Sequence, residues 1–143
     1  MTAMKRVLGI DLGEARIGLA ISDELGMLAH PLETIHVKEH AEPLARIAEI
    51  VAREKIETII LGMPRNMNGT YGPASEKAKV FAEKLKEKTS CAVKLWDERL
   101  TSVAAQKSLH ESGRNVKQSR AVIDQVAAQM ILQGWLDSQA MML

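Results

Sequence analysis

At 143 residues, 46% hydrophobic and 26% charged with a formal net charge of +1, the chain has the size and balance of one soluble globular domain spanning 1–143. The near-neutral balance excludes a global basic field, so nucleic-acid contact would need a local patch, and four aromatic residues are too few for a base-stacking platform. No apolar run spans a bilayer and no signal-peptide pattern is present, while a lone Cys91 fits a reducing cytoplasm rather than a disulfide framework, so we expect a cytoplasmic protein with no membrane partner.

Residues 5–12 contain Val7-Leu8-Gly9-Ile10-Asp11-Leu12, an apolar run that reads as a strand buried on both faces. One carboxylate, Asp11, is set into it, and an uncompensated charge there would cost several kcal/mol (order of magnitude). Either a cation or donor meets Asp11, or it sits at a solvated strand end and bonds to the following turn. Residues 16–23 alternate large (17, 19, 21) with small (18, 20, 22), predicting a second strand whose small face admits close approach. The three-residue link Gly13-Glu14-Ala15 makes these two a hairpin, and a third strand within 27–37, bent near Pro31, completes a meander.

Apolar spacing predicts a helix over 41–54, then a short β-branched strand over 57–62. The breaker-rich segment 63–73 predicts a loop leaving that strand's carboxyl end, followed by a helix over 74–88. A fifth strand covers 92–97, a short helix capped by Thr101 covers about 102–110, and 111–118 reads as a mobile basic loop. The last helix is expected from about Ser119 to Leu136 on a stripe of Ile123, Val126, Ala127, Met130 and Ile131, with 137–143 a frayed tail. Because helical crossovers reach the later strands, these should run parallel within one mixed sheet covered by helices on both faces.

Three acids fall in comparable places: Asp11 in the first strand, Glu98 just past the last, and Asp124 on the final helix beside Ala127 and Ala128. Carboxylates converging without a histidine or lysine cluster suit Mg²⁺ or Mn²⁺, which take hard oxygen ligands and can polarise a phosphodiester. Each also has a plainer reading: Glu98 paired with Arg99, and Asp124 paired with Arg120 one turn earlier. Periodicity alone does not bring the three together. Arg16, Arg65 and Asn66 flank predicted strand ends, and Gly69 and Gly72 would let loop amides approach a phosphate, though such a loop is more often only a loop. Arg114, Lys117 and Arg120 read as a substrate clamp or a solvated face.

Four stretches in order resemble the motifs of the YqgF/RuvX family: Gly9–Gly13 with Arg16–Asp23, Gly62–Gly69, Asp97–Ser102 and Ile123–Ala128. The match covers residues 5–136. The resemblance implies an RNase H-like fold and a Mg²⁺- or Mn²⁺-dependent nuclease with Asp11, Glu98 and Asp124 as catalytic and metal-binding residues. It also implies substrate contacts by Arg16, Arg65, Asn66, Arg99 and Arg120. The family is linked to 5′-end maturation of pre-16S rRNA, so the expected partner is structured RNA, with DNA junctions second and a monomer or weak homodimer as the active form. Three residues after Asp124, where related four-carboxylate resolvases carry an acid, this chain has Ala127, which leaves a second metal fewer ligands unless Asp97 contributes. The rival expectations are a junction resolvase and a non-catalytic factor that binds RNA or a transcription complex. Gly-Ile-Asp-Leu-Gly also resembles a phosphate-binding strand of actin-like ATPases, but those need two such domains.

Overall fold

The computed structural model describes residues 6–39, 42–63, 72–97 and 116–140, with side chains from 124 onward in the last segment. Three strands, β1 (Arg6–Leu12), β2 (Arg16–Ser22) and β3 (Ala29–His36), form the antiparallel meander expected from the sequence. Helix α1 (Pro43–Glu54) leads to β4 (Ile56–Met63), and α2 (Pro73–Thr89) leads to β5 (Ala92–Asp97). Both later strands lie parallel to the neighbour they join, β4 on β1 and β5 on β4, giving one sheet in the order β3-β2-β1-β4-β5.

Proline opens α1 and α2, where its missing N–H costs nothing, and a residue in the left-handed region, Lys55 or Ser90, ends each. Alternation along the strands then decides which helix meets which face. Leu8 and Ile10 of β1 with Ile17, Leu19 and Ile21 of β2 pack beneath α1 and α2, meeting Ile47, Ile50, Ala78, Ala82 and Leu85. Each fully buried leucine or isoleucine among them contributes about 1.5–3 kcal/mol.

The other face is covered by α3 (Val116–Ala140), which seats Ala127, Ala128, Ile131, Leu132 and Leu136 against Val7, Ala20 and Ile60. This helix is longer than the sequence pattern suggests at both ends. It starts inside the stretch read as a mobile loop and continues through 137–140, read as frayed. Ala127 and Ile131 of the expected stripe lie in its seam, joined there by Ala128, Leu132 and Leu136, while Val126 and Met130 are only half-buried. The short helix at about 102–110 and the loop 64–71 lie outside the described residues. Among the described residues, no helix is long and apolar enough to cross a membrane.

Candidate active site

Asp11 lies near the carboxyl end of β1 and is only 6% exposed. Its Cα partner across the hairpin is Gly18, and directly paired residues present the same face of a sheet. That face is the one α3 covers. A Cβ on Gly18 would collide with the carbonyl oxygen of Asp124 and lie 3.1 Å from its Cβ, so the helix main chain at Asp124 rests on the bare glycine. Two residues along β1 the same device recurs: a Cβ on Gly9 would lie 2.7 Å from Leu132 Cβ and 3.0 Å from the Ala128 carbonyl oxygen. The small face read from β2 is therefore the groove in which the helix main chain at Asp124 rests, on the face of the sheet that also carries Asp11.

Arg16 belongs to the same face of β2 and reaches the helix. Its Nε donates to Asp124 Oδ2 at 2.7 Å, with the two side chains 27% and 13% exposed. This partnership joins residues 108 apart, and no local spacing announces it. The sequence suggested Arg120 as the helical partner of Asp124, but the Arg120 side chain lies outside the described residues. Glu98, Arg99, Arg65 and Asn66 also lie outside them. Asp97 is described, and strand alternation puts it on the side of Val93, which packs under α1 and α2. Asp97 thus faces away from Asp11. Ala127, at the position where an acid was considered, is 2% exposed in the helix–sheet seam.

Three glutamines one turn apart fasten the helix to β3. Gln125 Nε2 donates to Thr34 Oγ1 at 3.1 Å, and Gln129 Nε2 donates to the Ala29 carbonyl at 2.9 Å. Gln133 accepts from the Ala29 N–H and donates to the Met27 carbonyl, both at 2.9 Å. Ser22 ends β2, and its Oγ accepts from the Val7 N–H at 2.8 Å, a buried contact that ties β2 to β1.

Chemically the face offers hard oxygens. Among the described residues no group of three or more acid, histidine or cysteine ligands comes together. Asp11 and Asp124 nevertheless suit Mg²⁺ or Mn²⁺, since Mg²⁺ is commonly held by one or two carboxylates with water and phosphate oxygens completing the shell. Cys91 is buried, its thiol directed at the Ile56 carbonyl, and is no part of this face. A cavity of about 920 Å³ opens on the opposite side of the sheet, between α2 and the β1–β2 hairpin, lined by Leu12, Ile17, Val37 and Phe81. It does not include either acid.

Against known families, residues 5–138 match the model described as RuvX: Holliday junction resolvase. The chain belongs to the RuvX family. A RuvX-family relative from Clostridium botulinum, named "Putative pre-16S rRNA nuclease", is 45% identical over 133 residues, covering 93% of this chain and 97% of its own. A relative of the same name from Acetivibrio thermocellus is 47% identical over 140 residues, covering 96% and 99%. Among solved structures, Thermus thermophilus RuvC in complex with a Holliday junction substrate superposes with a TM-score of 0.59 at 14% identity, covering 95% of this chain and 97% of that one. The fowlpox virus Holliday junction resolvase gives 0.52 at 14% identity over 96% and 99%. These likenesses establish the RNase H-like fold that the sequence motifs implied.

Proposed function

We propose that this RuvX-family chain is a cytoplasmic nuclease that hydrolyses phosphodiester bonds of structured RNA, with 5′-end maturation of pre-16S rRNA as its task. Asp11, Glu98 and Asp124 would hold Mg²⁺ or Mn²⁺, and Arg65, Asn66, Arg99 and Arg120 would contact the substrate. The observation that carries this reading is the seating of Asp124 on Gly18, directly across from the nearly buried Asp11. Asp11 and Asp124 bring hard carboxylate oxygens to one covered face, the donor type that Mg²⁺ takes, and this supports ion binding there. RNA is preferred over a DNA junction because relatives at 45–47% identity carry the rRNA name. The junction-bound neighbour shares only 14%.

When bound, the cation supplies Lewis-acid polarisation of the scissile phosphate and stabilises charge on the leaving oxygen. The chain's own residues do the rest. The sheet fixes Asp11, the glycine contact fixes Asp124, and the seam of α3 keeps bulk water off their inner side. Basic and amide groups at the strand ends hold the phosphate backbone, and the products carry a 5′-phosphate and a 3′-hydroxyl. The protein acts as a monomer or weak homodimer.

The test is cleavage of a 5′-extended 16S rRNA precursor with Mn²⁺, comparing the native protein with Asp11→Asn. Native cleavage should stop with EDTA and fall at least about a hundredfold in the variant, whose circular dichroism stays native. Equal cleavage by both proteins would place the site elsewhere. Equal binding without cleavage by either would favour the non-catalytic factor, and preference for a four-way DNA junction would favour the resolvase.

A further inference from the structure

We propose that Arg16 is a built-in counter-ion for the Asp11–Asp124 pair: it holds Asp124 against β2 in the metal-free protein and gives up its Nε–Oδ2 contact to an incoming divalent cation. This rests on the metal-site reading above, but assigns Arg16 a role other than substrate contact. Three observations carry it. Arg16 Nε lies 2.7 Å from Asp124 Oδ2, so the contact is a charge-assisted hydrogen bond rather than a loose ion pair. Arg16 and Gly18 share one face of β2, so the guanidinium starts two residues from the glycine on which Asp124 rests and which pairs with Asp11. Both side chains are largely withdrawn from solvent, at 27% and 13% exposure, where screening is weaker than at the surface.

A positive group so placed does two opposing things. It relieves repulsion between the carboxylates before a cation arrives, which stabilises the metal-free fold. It also opposes the cation by direct charge and by occupying a ligand oxygen. Losing Arg16 would free a short aspartate side chain of few torsions, a small entropic loss for binding, whereas removing a unit charge acts through the full Coulomb interaction. The charge effect dominates, so Arg16 tunes the site towards weaker, exchangeable metal binding. It is a positioning residue, acting on the reaction through Asp124.

The experiment measures Mn²⁺ affinity by calorimetry and thermal midpoints in EDTA for native protein, Arg16→Gln, Arg16→Lys and Arg16→Gln/Asp11→Asn. Arg16→Gln should melt about 3 °C lower in EDTA yet bind Mn²⁺ about tenfold more tightly. Arg16→Lys should stay near native in both, and adding Asp11→Asn should recover much of the lost midpoint by removing the repelling charge. Native or weaker Mn²⁺ affinity in Arg16→Gln, with altered RNA affinity alone, would make Arg16 a substrate contact and overturn the proposal. If native protein binds no Mn²⁺, the metal-site reading fails. The EDTA series then decides the counter-ion role by itself, and no recovery in the double variant refutes it.

Discussion

Gly18 lies directly beneath the main chain of Asp124, leaving no room for a side chain between strand and helix. Gly18→Ala would force α3 to lift from β2 or the strand to bend. Overpacking of this kind costs about 1–3 kcal/mol. Urea denaturation should show that loss, and nuclease activity should fall further than stability, because Asp124 moves with the helix.

The glutamines of α3 make a second prediction. Ala29 opens an edge strand, and both its N–H and its carbonyl are taken by Gln133 and Gln129. Such bonds contribute about 0.5–1.5 kcal/mol each. Gln133→Ala should lower stability by about that amount and speed hydrogen exchange at the Ala29 amide, while the amides of β1 keep their protection.

Arg46 supplies a third. Its Nε and Nη2 donate to the two oxygens of Glu33 at 2.9 and 2.7 Å, fastening α1 to β3. The hydrogen bond to Glu33 holds the guanidinium above its ordinary pKa, so it stays charged at any working pH. Arg46→Lys keeps the charge but loses the paired geometry, and should cost about 0.5 kcal/mol with half-exposed partners. A double-mutant cycle with Glu33→Gln checks whether the loss belongs to the pair.

The β2–β3 turn gives a pH prediction. The Met27 N–H donates to Asp23 Oδ1 at 2.9 Å, and this bond holds the Asp23 carboxyl below its usual pKa. A depressed folded pKa means that the contribution is complete above the ordinary carboxylate value and is lost as pH falls through the lowered one. Nuclear magnetic resonance should find Asp23 titrating below a model aspartate, with the Met27 amide shift following the same curve. Asp23→Asn should flatten that curve.

Most of the framework was legible because alternation is a strong signal. In β2, the split between large residues at 17, 19 and 21 and small ones at 18, 20 and 22 names the face on which a helix presses. The helix itself was harder to place. Its buried residues include Ala128, Leu132 and Leu136 because the sheet's glycines admit a close seam, and apolar residues elsewhere around α3 blur its stripe. The Arg16–Asp124 contact could not be read at all, since it depends on how a strand and a helix 108 residues apart meet. Asp97 entered the sequence reading only as a further ligand for a second metal. Strand pairing turns Asp97 to the face of Val93, away from that of Asp11.

Gln133 and Asp124 stand nine residues apart on one continuous helix, a span of about 13.5 Å at 1.5 Å per residue. One end of that span is tied to the turn at Met27, the other to Arg16 and Gly18. A rigid rod anchored at both ends converts displacement at one into displacement at the other. Moving the turn at Met27 would therefore move the helix that seats Asp124 on Gly18.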